Sequence, residues 1–189
     1  NVKIVLSICR LSRWKGVHRL IEAVPSVIKE RTDVVFLIVG DGSERRRLEQ
    51  LATDLGVSKY VRFMGHVPHR DVSKYHAIAD VYVTLQDISS LSACLLEAMI
   101  CGVCIVTLNT GDTRSVIKNG EYGILLNHSE LPFLPSILLD LLSNEEYRKV
   151  LANNARQYAI GNFWTWEERA EAEIRLAEKL IHKRTGDSL

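Results

Sequence analysis

Three side chains in this sequence have the types and spacing to hold a phosphorylated, hydroxyl-rich molecule. Glu97 stands in an apolar run, Leu95-Leu96-Glu97-Ala98-Met99-Ile100. A carboxylate among such neighbours costs free energy unless something binds it. The residues ahead of it, Ser89-Ser90-Leu91-Ser92-Ala93-Cys94, are mostly small and read as a helix start. Open amides at a helix start attract phosphate. Amides near Ser90 to Ala93 lie four to seven residues before Glu97. At 1.5 Å per residue that is roughly 6–10 Å, about the reach from the terminal phosphate of a nucleoside diphosphate to its ribose. Glu97 would accept the ribose hydroxyls, or it is salt-bridged at a packed helix edge.

Arg10 and Lys15 flank a short turn, Cys9-Arg10-Leu11-Ser12-Arg13-Trp14-Lys15-Gly16. Arginine clasps an oxyanion through two parallel N–H groups, and lysine adds a point charge. The pair suits a diphosphate; a solvated basic loop is the alternative. Trp14 between them would cover a nucleotide or pack on another domain. Gly40-Asp41-Gly42 has part of a glycine-rich nucleotide turn, but reads better as a tight turn into a helix capped by Ser43. His66, beside a later turn, reads as a loop histidine or a base contact. His18, His69, His76, His128 and His182 lack metal-ligand spacing.

Positioning these residues requires strands and helices in alternation. Apolar, β-branched runs over 2–8, 34–39, 61–64, 80–85, 103–108 and 123–126 read as strands. Helical patterns over 17–29, 43–55, 71–79 and 91–100 fall between them, and residues 132–142, 145–160 and 165–183 continue as helix. Strand runs buried on both faces imply an α/β fold with a doubly wound, Rossmann-like parallel sheet. Ligands bind such sheets at the carboxyl ends of the strands, where the Arg10–Lys15 turn and the Glu97 helix fall. The 189 residues are 47% hydrophobic, enough for one well-cored domain over 1–189, with 164–184 as a charged edge helix. The net charge of +1 argues against a large nucleic-acid footprint. No apolar run reaches membrane-spanning length. The start at Asn1 without methionine is read as a fragment. Cys101-Gly102-Val103-Cys104 has redox or zinc spacing, but no second pair completes a site. The four cysteines, Cys9, Cys94, Cys101 and Cys104, are read as buried structural thiols of a cytoplasmic protein.

Taken together, the motifs resemble the C-terminal, donor-nucleotide half of a GT-B glycosyltransferase of group 1 (family 4). The family's Gly-Arg-Leu and Lys-Gly stand here as Cys9-Arg10-Leu11 and Lys15-Gly16. Its Val-Gly-Asp-Gly turn is Val39 to Gly42, and its Val-x-Phe-x-Gly-x-Val is Val61, Phe63, Gly65 and Val67. Its Ala-Asp-Val is Ala79 to Val81, with Tyr75 one place earlier than usual. Its Leu-Glu-Ala-Met-x-x-Gly is Leu96 to Met99 and Gly102. Gly120 to Leu125 and the aromatics Phe163, Trp164 and Trp166 complete the likeness. The resemblance implies that Arg10 and Lys15 bind the donor diphosphate and that Glu97 binds the ribose. It implies that Val67 lines the base pocket, and that the amides of Ser92, Ala93 and Cys94 hold the distal phosphate. The implied activity is retaining transfer from a nucleotide sugar, UDP-linked foremost, with no cofactor or metal requirement. The acceptor, a sugar, lipid or protein, would sit on an N-terminal domain absent from this chain, with at most peripheral membrane contact. The isolated domain would then be inactive.

Some positions depart from the family pattern. Ser89 stands where the family has the first of two glutamates, and Ser90-Leu91-Ser92 replaces Gly-Phe-Gly. Asp87, two residues earlier, is a candidate substitute. Ser92 adds a side chain where backbone approaches the donor. Gly111-Asp112 replaces a Gly-Gly loop and Ser115 a following glutamate; Asp112 contacts donor hydroxyls or caps the helix near Thr113. Nucleotide recognition is therefore expected to be kept and sugar recognition changed. An epimerase or other GT-B enzyme, and a non-catalytic nucleotide- or partner-binding module, are the alternatives.

Overall fold

The computed structural model describes residues 2–88 and 91–185, with side chains left out at Trp166 and from 182 onward. Two compact units divide the chain, Asn1–Ala159 and Ile160–Leu189.

In the first unit six strands form one sheet: β1 (Lys3–Ile8), β2 (Val34–Val39), β3 (Val61–Gly65), β4 (Val81–Thr84), β5 (Cys104–Leu108) and β6 (Ile124–Leu126). Every pairing is parallel, in the order β3-β2-β1-β4-β5-β6. The chain winds outward from β1 to β3, returns to the centre as β4, and winds the other way. In sheets of this kind such a reversal marks the place where a crevice forms, here at the carboxyl ends of β1 and β4. The helices are α1 (Val17–Glu30), α2 (Arg45–Asp54), α3 (His69–Ile78), α4 (Ala93–Cys101), α5 (Leu134–Ser143) and α6 (Glu145–Asn162). α1 packs on α2 and α5, and α3 packs on α4. β4 and β5 are buried along their whole length, as strands covered on both faces must be. Val5, Phe36, Ile38, Val83 and Val106 supply one core layer beneath α1. Tyr82, two of whose neighbours in β4 belong to that layer, points the opposite way and meets His76 of α3 edge-on at 5.0 Å.

Asp80, the acidic residue of the Ala-Asp-Val motif, is a structural node at the opposite ends of the strands. One carboxylate oxygen accepts from Lys3 Nζ at 3.1 Å and from Arg148 Nη2 at 2.9 Å. The other accepts the Ile4 amide at 2.9 Å. Arg148 is 6% exposed, and its second guanidinium nitrogen donates to the Leu141 carbonyl at 2.7 Å.

Several local expectations change. Ser43 does not cap α2; the Glu44 amide donates instead to the Leu11 carbonyl at 3.0 Å, so the neighbouring loop does the capping. Asp112 makes no side-chain cap, and the segment it precedes is a single 3₁₀ turn, Thr113–Ser115. The helix expected from 132 is a 3₁₀ stretch, His128–Phe133, before α5 begins. α3 starts at His69, two residues earlier than the pattern suggests. Of the four cysteines, all free, only Cys104 is fully buried.

The second unit holds α7 (Trp166–Thr185). Thr165 and Glu168 cap its start reciprocally: the Thr165 amide donates to Glu168 Oε2 at 2.7 Å, and the Glu168 amide donates to Thr165 Oγ1 at 3.2 Å. Ile174, Leu176, Leu180 and Ile181 are exposed on it.

Candidate functional site at the sheet crevice

Two loops meet at the crevice, and backbone contacts lock them together. The first follows β1 and makes a 3₁₀ turn, Arg13–Lys15, ended by Gly16 in the left-handed region at φ +69°. A Cβ on Gly16 would lie 2.0 Å from the Leu85 carbonyl oxygen, so only glycine lets the two loops approach this closely. The Asp87 amide donates to the Trp14 carbonyl at 2.8 Å. Arg19, just inside α1, donates to the Leu85 carbonyl at 2.7 Å.

Arg10 is exposed, and among the described residues its guanidinium carries no ion pair. Lys15 is half-buried; its ammonium donates to Gln86 Oε1 at 2.7 Å and lies 4.2 Å above the Trp14 ring. Trp14 therefore packs on a neighbouring cation and is itself 42% exposed.

α4 begins at Ala93, and the Leu95 and Leu96 amides already donate to the Ser92 carbonyl. The amides of Ala93 and Cys94 precede that ladder, which leaves them as the helix-start donors. Ser89 and Ser90 lie outside the described residues, so the missing-glutamate position does too. Ser92 takes an ordinary extended conformation; the left-handed residue of this turn is Leu91, at φ +57°. Leucine is strained there.

Glu97 occupies the face of α4 turned toward α3. Its Oε1 lies 2.7 Å from His69 Nε2, placed to receive a hydrogen bond. Its Oε2 is buried with no hydrogen-bond partner among the described residues. The salt-bridge alternative is thus half realised, by a histidine that is 85% exposed. Cys94 reports the field of the whole site. Burial pushes its thiol up, Glu97 adds to the rise, and Lys15 opposes it. Cys9 is pushed up to about 12, chiefly by burial and again against Lys15. The Lys15 turn and the α4 start therefore share one neighbourhood.

One expectation changes at this site. Asp87 is no free substitute carboxylate: it accepts from Arg19 Nη2 at 2.6 Å and pairs with His128 Nε2 at 3.1 Å. Burial raises its pKa, but these bonds outweigh it and leave it below the usual carboxylate range. Val67 lines a concavity of about 510 Å³ with Pro68, Asp71, Lys74, Tyr75 and Ile78. Asp71, Lys74, Tyr75 and Ile78 form the side of α3 opposite the one that carries His69 and His76. The Gly40-Asp41-Gly42 segment is a tight packing turn, the reading preferred from the sequence, since a Cβ on Gly40 would sit 1.9 Å from the Cys9 carbonyl oxygen. Nothing in the local spacing of Gln86, His69 or Arg19 marks them in the sequence as ligands or supports.

A doubly wound parallel sheet with a basic turn and a helix start at its switch point defines an α/β domain of the Rossmann-like class. Residues 1–158 match the family of glycosyl transferases group 1, and the chain belongs to it, with the fold of the C-terminal half of a GT-B enzyme. It is 29% identical over 188 residues to a GDP-mannose-dependent alpha-(1-6)-phosphatidylinositol monomannoside mannosyltransferase of Mycolicibacterium smegmatis, covering 96% of this chain and 48% of that protein. It superposes with a TM-score of 0.82 and 26% identity on Anabaena HepE in complex with UDP and glucose, covering 95% of this chain and 48% of that one. The C-terminal domain of LpcC, a group 1 family protein of Francisella tularensis, shares the fold at a TM-score of 0.76 and 21% identity, covering 84% of this chain and 85% of that one. The chain thus spans about half the length of the curated relative it matches.

Proposed function

We propose that this chain is the donor-nucleotide half of a retaining glycosyltransferase. It would hold a nucleotide sugar, UDP-linked foremost, for transfer to an acceptor on an N-terminal half. One observation supports the reading: Lys15 and Glu97 both act on the Cys94 thiol at the start of α4, and among the described residues Arg10, on the Lys15 turn, carries no ion pair and Glu97 Oε2 has no hydrogen-bond partner. As the glycosidic bond breaks, negative charge grows on the leaving diphosphate. Fixed cations and amides stabilise that charge more than they stabilise the bound donor. Glu97 anchors the ribose once His69 swings aside. Ser92, Ala93 and Cys94 receive the distal phosphate, and the turn at Val67 receives the base. The free thiols suit a reducing, cytoplasmic setting. The exposed apolar side chains of α7 are assigned to contact with the acceptor-holding half.

Calorimetry with UDP and GDP tests the site. Arg10→Ala, Lys15→Ala and Glu97→Gln are each expected to weaken binding about tenfold, the usual scale for one charge-assisted hydrogen bond. Unchanged affinity in all three would sink the assignment. A second reading, nucleotide binding without transfer, is favoured by the engagement of Asp87 with Arg19 and His128. Sugar transfer by the longer protein would eliminate it.

A further inference from the structure

Gln86 is the least expected polar residue of the crevice. It lies two residues beyond β4, it is 4% exposed, and both its backbone and its side chain are committed. Its carbonyl accepts from Thr110 Oγ1 at 3.0 Å. Its neighbours are pinned as well, Leu85 through the Arg19 guanidinium and Asp87 through the Trp14 carbonyl. A side chain rooted in so fixed a backbone has little freedom, and its amide oxygen meets the Lys15 ammonium at 2.7 Å.

We propose that Gln86 is a positioning residue that holds the Lys15 ammonium in place for a donor diphosphate. The proposal rests on reading the Arg10–Lys15 turn as the diphosphate site. A lysine ammonium is a point charge on a flexible stem, with three donors. Gln86 takes one donor and leaves two for phosphate oxygens. Being neutral, it orders the cation without cancelling its charge, whereas a carboxylate in its place would do both. Trp14 stacks beneath the same ammonium, so the cation is held from two sides. Ordering the lysine before the ligand arrives spares part of the entropy that binding would otherwise cost.

The test compares UDP with uridine by calorimetry, with GDP and guanosine run alongside. It uses the parent chain and the variants Lys15→Met, Gln86→Met and Gln86→Glu. Gln86→Met keeps the volume and removes the acceptor. It is expected to weaken UDP binding about three- to tenfold and to leave uridine binding unchanged. Gln86→Glu restores an acceptor but adds a negative charge, and should weaken UDP binding at least as much, again without affecting uridine. A general packing defect would weaken both ligands together. If Lys15→Met weakens UDP while Gln86→Met does not, the role of Gln86 is overturned and the site stands. If Lys15→Met leaves the preference for UDP over uridine intact, the site itself falls. Should Gln86→Met fail to fold, Gln86→Glu decides, and parental UDP affinity in it overturns the proposal.

Discussion

His76 is 1% exposed, and neither of its ring nitrogens has a hydrogen-bond partner among the described residues. Burial lowers its pKa to about 4, against a smaller opposing pull from Glu97. The unfolded chain protonates this histidine near pH 6.5, whereas the folded chain resists until about pH 4. Between those values the unfolded state binds more protons, so stability falls as pH falls through that window and no further below it. A loss of about 2 kcal/mol between pH 7.5 and pH 5 is expected from this group. His76→Phe should remove that share of the slope, as measured by urea unfolding at the two pH values. An equal slope in the variant would contradict the account. At this scale the sequence was legible where a charge interrupted an apolar run, as Glu97 does. It was not legible for Gln86, His69 or His76, because a neutral polar side chain takes its role from neighbours tens of residues away. Glu97 and His69 stand 28 positions apart, and Lys15 and Gln86 stand 71 apart.

The strands were the most legible elements. Apolar β-branched runs such as those of β4 and β5 are buried along their length, which suits the interior of a parallel sheet. Helix starts were less legible, because the partner of a first-turn amide need not be local, as Leu11 does for Glu44. The contact between the β1 and β4 loops is where element packing controls the site. Gly16→Ala would force a Cβ toward the Leu85 carbonyl in a left-handed backbone. Both penalties act at once, so a destabilisation of about 3 kcal/mol is expected. The variant should also lose UDP affinity, since the turn that carries Lys15 must shift away from Gln86. Chemical denaturation and calorimetry on the same sample check the two effects. A variant as stable as the parent would mean that the loops can separate without cost.

Across the whole molecule, the site depends on a parallel sheet whose order of winding reverses between β1 and β4. The strand order could not be read locally, since it depends on which distant runs pair. Asp80 ties that sheet together at the end remote from the crevice. Removing the guanidinium that faces it, by Arg148→Met, leaves a half-buried carboxylate with one cation fewer. A loss of about 3 kcal/mol is expected. Thermal unfolding should report it, while nucleotide affinity at low temperature stays near the parental value. A variant with parental stability would show that Lys3 and the Ile4 amide suffice.

The same contact has a consequence for how the chain comes into being. On a ribosome, Asp80 emerges 68 residues ahead of Arg148. All six strands precede Arg148 in the chain, so until that residue follows they have their central carboxylate only partly compensated. The loops proposed to hold the ligand therefore have their complete sequence before the floor beneath them is finished. Nascent chains halted before residue 148 should be captured by protease far more readily than chains halted after it, although every residue proposed to touch the nucleotide is already present.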